Sequence, residues 1–317
     1  MAEVKLFYHK DGIVRLSRSL DFLKSNPIQN FLWIDLNDVD EEVENELEDF
    51  LKIYIQEEEE MIEIEMSSRY IETNDTLVVN SNFLLSNFET DPVSFILKNN
   101  ILVTVRGEEL SSFHETVKKI SANPKNYPTG AHVLVALLET RVEFDADMIE
   151  NMTQKITQLS NSLTLQEADE ELLSEIKNLQ EKTMLLRENI IDKQRTVSSM
   201  LRSEFIPAEL QSKLTIIIKD INSLVEHIKF SFDRLDYLQD TFLGYVNIEQ
   251  NKIIKIFTIV SVIFMPPTLI ASIYGMNFSF MPELDKKWGY PAAILFMVLS
   301  SLLNLFQMND GKVIGIF

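Results

Sequence analysis

Ile253–Ile273 is an apolar run of 21 residues with one interior charge, Lys255, near its start. Coiled as a helix it extends about 31 Å, roughly one hydrocarbon thickness of a bilayer. A second apolar run, Pro291–Met308, follows after a short polar loop. The pattern predicts a two-span membrane hairpin. Tyr274-Gly275-Met276-Asn277-Phe278 stands at the mouth of its first span, and Met281-Pro282-Glu283-Leu284 lies in the loop.

The remainder is unlike the hairpin. Residues 253–317 hold 3 acids and 4 bases, whereas residues 1–252 hold 46 acids and 25 bases. A surface carrying −21 repels nucleic acid and anionic lipid and attracts cations. The opening Met1-Ala2-Glu3-Val4-Lys5-Leu6 lacks the apolar core of a signal peptide, so this acidic part is expected to be cytosolic. There is no cysteine, which excludes disulfides and thiolate metal sites. Lysines flank both sides of the hairpin, so charge alone does not orient it.

Residues 1–125 read as mixed α/β. Short β-rich runs occur at Val4–Tyr8, Phe31–Asp35, Leu77–Asn80, Asn82–Phe88, Phe95–Leu97 and Ile101–Val105. Val39–Tyr54 and Glu108–Ile120 have helical patterns, and Asn123–Pro128 breaks the chain. From Thr129 the signal is helical: Thr129–Leu163, Gln166–Ser203, then one helix from about Pro207 to Ile273. Apolar residues in that last helix, from Leu210 to Tyr245, alternate four and three apart, with Ser231 the polar interruption. Such a period marks helices wrapped in a supercoil. It also fits an ordinary bundle tethered to a membrane. At full length the helix measures about 100 Å, long enough to carry motion from its cytosolic end to the membrane. Pro266-Pro267 removes two donors from it and is expected to bend the span.

Four segments together carry a family resemblance: Gly275-Met276-Asn277 after the first span, Met281-Pro282-Glu283-Leu284 behind it, and Trp33-Ile34-Asp35-Leu36 with Ile101–Arg106 in the amino-terminal part. The chain resembles the CorA family of magnesium and divalent-cation channels over most of its length. The resemblance implies an α+β cytosolic domain, a long helical stalk and two C-terminal transmembrane helices, assembled as a funnel-shaped homopentamer in the cell (inner) membrane with both termini cytosolic. The segments expected are an α/β domain over 1–125, a stalk over 126–250, a pore-lining span over 251–273, an external loop over 274–290, a second span over 291–308 and a tail over 309–317. The usual terminal lysine cluster is replaced by Gln307-Met308-Asn309-Asp310-Gly311-Lys312-Val313.

Magnesium sheds its water reluctantly, so a pore handles the hydrated ion more easily, with neutral oxygen acceptors. The resemblance assigns Gly275, Met276 and Asn277 to an outer filter of that kind, with Asn277 carboxamides at its centre. It places Thr268, Met265, Phe257, Ile254, Asn251 and Asp240 along the channel. Thr268 offers a hydroxyl, Met265, Phe257 and Ile254 form apolar constrictions, and Asn251 and Asp240 meet water or ion near the inner entrance. The bland alternatives are a turn with an interfacial Tyr274 and lipid-facing bulk. Glu283 and Asp285 would concentrate cations at the mouth, partly cancelled by Lys286 and Lys287.

Between Glu41 and Glu65 there are 12 acids and one base, Lys52. Crowded carboxylates repel, and a bridging dication relieves the repulsion; a solvated charged face is the other reading. The family implication is that cytosolic Mg²⁺ bound between protomers favours the closed pore, with Asp220 a candidate sensor ligand. Mg²⁺ is thus expected as cargo and as regulator, with Co²⁺ or Ni²⁺ as possible companions, and no nucleic acid as partner. Rivals are a zinc transporter of the same superfamily and a membrane-anchored scaffold without transport. His9, His114, His132 and His227 lie outside the spans. No phosphate-cradling loop, histidine pair or nucleophile elbow points to an enzyme.

Overall fold

A computed structural model describes residues 3–57, 60–61, 69–162 and 170–309. The chain forms two compact units, Met1–Gln239 and Asp240–Phe317. The first is built on a seven-stranded sheet ordered β2-β1-β3-β7-β6-β5-β4. Its strands are β1 (Glu3–Lys10), β2 (Ile13–Ser17), β3 (Phe31–Asn37), β4 (Tyr70–Glu72), β5 (Thr76–Leu84), β6 (Thr90–Lys98) and β7 (Ile101–Arg106). Only β3 and β7 pair in parallel. Every residue of β3 and of β7 is buried, as expected of central strands covered on both faces.

Alternation along the strands sorts two cores. On one face Leu6, Ile34, Leu36, Ile96 and Val103 meet Leu23 of α1 (Leu20–Ser25) and Leu47 of α2 (Glu41–Leu51). On the other, Phe7 stacks on Trp33 with ring centroids 4.6 Å apart, and Phe113 of α3 (Ser111–Ala122) packs on Trp33, Phe83 and Phe95. Helices α4 (Gly130–Ser162) and α5 (Glu170–Met200) cover that second face. They bring a buried ionic cluster with them. Asp145 forms ion pairs with Arg141 at 2.6 Å and with Lys193 at 2.9 Å, and both cations also lie against the Phe83 ring.

Trp33-Ile34-Asp35-Leu36 and Ile101–Arg106, named from sequence for their resemblance, are these two parallel neighbours, with Asp35 opposite Thr104. Other expectations need correction. The runs Leu77–Asn80 and Asn82–Phe88 are one strand, β5, because polar Asn80 and Ser81 are buried within it. It stops at Leu84, and Phe88 sits in the following turn at φ 69°. β6 starts before the expected Phe95 and contains Pro92. The missing donor is tolerated there because pairing with β7 begins only at Ser94. The helix expected over Val39–Tyr54 stops at Leu51, where Lys52 turns left-handed at φ 51° and sends Ile53 and Ile55 into the core. β2 and β4, both edge strands, were not expected; neither shows the alternation of a half-buried strand.

Helix α6 runs unbroken over Ala208–Tyr274. Within the first unit its stripe Leu210, Leu214, Ile217, Ile221, Ile228, Leu235 and Leu238 is buried, as the four-three period predicts. The interruption at Ser231 is met by a polar partner, with its Oγ 3.4 Å from Thr153 Oγ1 of α4. One α-turn on, Arg234 Nη1 donates to Thr157 Oγ1 at 2.9 Å.

The second unit contains the rest of α6 and α7 (Gly289–Asn309). Each has a stretch long and apolar enough to cross a membrane, and no residue of the α6 stretch is buried in the single chain. Residues 310–317, part of the expected tail, lie outside the described residues, as do Glu58, Glu59, Glu63 and Glu65 of the acidic run.

Candidate functional site

At 3.6 residues per turn, Asn251, Ile254, Phe257, Met265 and Thr268 fall within roughly 120° of one another on α6. All are exposed; Ile254, Phe257 and Met265 are 61%, 66% and 68% accessible. The face about opposite carries Ile259, Val262, Ile263, Pro266, Pro267 and Ile270, all half-buried. Two of these carbonyls, of Val262 and Ile263, accept hydrogen bonds from α7. Helix α7 therefore covers one side of α6 and leaves the predicted stripe open. Ser261 and Ser272 are exposed on the same stripe and were missed. Their spacing is the signal for them, since they stand four residues beyond Phe257 and Thr268.

The open face has a definite polarity. Thr268 Oγ1 donates to the Phe264 carbonyl at 2.7 Å. That uses the hydroxyl's one donor within the helix and leaves its oxygen as an acceptor. A metal-bound water, a strong donor, needs that arrangement. A shallow groove lined by Ser261, Met265, Thr268 and Ser272 runs along this face.

The helix ends at the tripeptide. Gly275 N–H donates to Ala271 O at 2.9 Å and Ser272 O at 3.2 Å, and Met276 N–H to Ile273 O at 3.3 Å. Gly275 is not in the left-handed region. Its contribution is size, because a Cβ there would lie 3.3 Å from Ala271 O. Met276 and Asn277 are exposed beyond the last turn, and the Asn277 carboxamide has no hydrogen-bond partner among the described residues.

The loop behind it is a series of tight turns, Leu284 N–H to Met281 O at 3.1 Å and Gly289 N–H to Lys286 O at 2.9 Å. Gly289 is buried against the Glu283 carbonyl, so the Met-Pro-Glu-Leu segment is fixed to the start of α7. Lys286 lies over the Trp288 ring at 5.4 Å. Exposed Phe278, Phe280, Trp288 and Tyr290 make an aromatic belt of the kind found where a span meets water.

Asp220, the expected sensor residue, and Asp240, expected near the inner entrance, are both exposed on α6. Among the described residues no group of three or more His, Cys, Asp or Glu side chains could hold a metal within one chain. His9 is engaged with the Tyr127 carbonyl and His132 with Thr129 and Glu209.

Residues 29–309 match the family described as CorA-like Mg²⁺ transporter protein. The magnesium transport protein CorA of Wolinella succinogenes is 38% identical over 318 residues, covering 98% of this chain and 99% of that one. Its counterpart in Campylobacter jejuni is 39% identical over 293 residues, covering 87% and 89%. Among solved structures, the complete CorA magnesium transporter of Methanocaldococcus jannaschii superposes with a TM-score of 0.78 at 21% identity, covering 96% of each chain. With a family match across most of its length and relatives alike from end to end, the chain belongs to the CorA-like Mg²⁺ transporters.

Proposed function

We propose that this chain carries hydrated Mg²⁺ through a membrane as a homopentamer, with the exposed stripe of α6 turned to a central axis. The observation that carries the reading is that stripe. Oxygen acceptors and apolar side chains share the face that α7 leaves open, and the stripe leads to the exposed Asn277 carboxamide. Five Asn277 amides about one axis would accept from the ion's water shell without stripping it, and Gly275 would let the chains approach. Met265, Phe257 and Ile254 would form rings that dewet and block the path when narrow. The curated relatives are named for magnesium transport, which supports the choice of cargo. All the acceptors offered are oxygens and the histidines lie elsewhere, which favours a hard dication over zinc; Co²⁺ and Ni²⁺ in hydrated form fit the same ring.

The acidic unit is the cytosolic side in this reading, with both termini there. Its negative surface would gather Mg²⁺. Exposed Asp220 would coordinate it between protomers and favour the closed pore, so that a fall in cytosolic Mg²⁺ opens it, while Asp240 would meet water or ion near the inner entrance. Influx would then follow the membrane potential. The test is Mg²⁺ uptake into liposomes by wild type and by Asn277→Ala. Uptake that falls at least tenfold in the variant supports the ring; equal uptake overturns the filter assignment.

A further inference from the structure

A helix interior with two prolines should contain two carbonyls without donors, since the i+4 N–H of each is gone. In α6 these are the carbonyls of Val262, four before Pro266, and Ile263, four before Pro267. In an apolar span an unmet carbonyl is costly. Both are met from α7. Asn304 Nδ2 donates to Val262 O at 3.3 Å, and Ser301 Oγ donates to Ile263 O at 3.2 Å.

The match is specific. Ser301 and Asn304 lie three residues apart on one face of α7, and both are half-buried. Neighbouring Ser300 instead turns its hydroxyl to its own helix, donating to Met297 O at 2.8 Å. Polar side chains in a span are otherwise unfavourable, and these two stand against the carbonyls that the prolines free. The two prolines fall between Met265 and Thr268, so the course of the helix here sets where one stripe residue stands relative to the other.

We infer that Ser301 and Asn304 are positioning residues for transport: they supply the donors that Pro266 and Pro267 remove and so hold the stripe of α6 in register past the two prolines. The inference rests on the reading of α6 as the pore helix. Asn304→Leu and Ser301→Ala are each expected to lower the initial rate of Mg²⁺ uptake in liposomes by about threefold, equivalent to about 0.6 kcal/mol per interhelical bond. The decisive comparison is made in proline-free backgrounds. Pro266→Ala restores an N–H to the Val262 carbonyl, so adding Asn304→Leu there should leave uptake unchanged. Pro267→Ala should do the same for Ser301→Ala. Lost packing would give equal losses in both backgrounds, and that result overturns the inference, as does no loss in the native background.

Should the proline variants fail to transport, the bond itself is read by solid-state NMR. Carbonyl-¹³C valine with ¹⁵N isoleucine singles out the Val262–Ile263 and Val313–Ile314 pairs. The Val262 carbonyl signal should move upfield in Asn304→Leu and stay in place when Pro266→Ala is added. A signal indifferent to Asn304 overturns the inference. A wild type that takes up no Mg²⁺ overturns the transport reading, and with it the positioning role, while the NMR signal still decides whether the donor is used.

Discussion

Arg106 clamps Asp35 through two parallel hydrogen bonds, Nε to Oδ1 at 3.0 Å and Nη2 to Oδ2 at 2.8 Å, with both side chains out of water. Thr104 Oγ1 donates to the same carboxylate at 2.8 Å and accepts from Trp33 Nε1 at 2.9 Å. The parallel register of β3 and β7 makes this possible, because it sets Asp35 beside Thr104 and Asn37 beside Arg106. Replacing one member strands the other. Arg106→Met is expected to destabilise the first unit by about 3–5 kcal/mol. The double variant Asp35→Leu/Arg106→Met should lose much less. Denaturant unfolding followed by emission of buried Trp33 measures both, and additive losses would show that the pair is not coupled.

Gly130 opens α4 where the helix touches the β6–β7 turn. That turn has Asn99 at φ 51° and Asn100 at φ 66°, the pairing that a two-residue hairpin demands. Gly130 N–H donates to Asn100 O at 2.6 Å, and a Cβ would meet the Leu102 nitrogen and come within 2.6 Å of the Ile101 carbonyl carbon. Those atoms are backbone and cannot swing aside. Gly130→Ala should therefore cost about 1–3 kcal/mol. Gly244→Ala, with nothing within 4 Å and a helical backbone, should be neutral or stabilise by up to about 1 kcal/mol. Unfolding midpoints of the two variants should move in opposite directions or by clearly unequal amounts.

Much of this architecture was legible because period and composition act locally. The stripe from Leu210 to Leu238 is buried as its spacing requires, and the two apolar runs lie in the two helices long and apolar enough to cross a membrane. What escaped depends on partners distant in sequence. Nothing near Asn80 and Ser81 says that a polar pair will sit inside a covered strand. Ile13–Ser17 becomes a strand only because β1 offers an edge to pair with. The prolines at 266 and 267 announced two missing donors, yet only the packing of α7 shows where the replacements come from. Ser261 and Ser272 were within reach of the helical period once the stripe was drawn.

The loop behind the tripeptide depends on Gly289. Its N–H donates to Lys286 O, and its α-carbon is so close to the Glu283 carbonyl that a methyl group would collide with the oxygen and stand 3.2 Å from the carbon. Gly289→Ala must open the Glu283–Gly289 turns and shift Met281–Leu284 away from the start of α7. Mg²⁺ uptake is expected to fall on the order of tenfold, the equivalent of about 1.4 kcal/mol. Unfolding of the first unit should be unchanged. Normal uptake by this variant would mean that the loop's course is irrelevant to transport.

Lys193 is the most deeply enclosed cation of the first unit, and its enclosure has a pH signature. Burial, helped by nearby Arg141 and opposed by Asp145, brings its pKa down to about 8 from 10.5. An unfolded chain keeps that proton until about pH 10.5, whereas the fold releases it near 8. Between those values the unfolded state binds more protons, so this residue's contribution to stability rises as pH rises. Below about pH 8 the ammonium is charged in both states and its desolvation penalty is fully felt. Lys193→Met carries no such proton and still leaves Asp145 with Arg141 at 2.6 Å. The stability of wild type relative to Lys193→Met should therefore increase from about pH 7.5 to about pH 10. Trp33 emission during urea unfolding at several pH values reads the difference directly, and a stability relative to Lys193→Met that stays constant or falls as pH rises would mean that Lys193 keeps an ordinary lysine proton inside the fold.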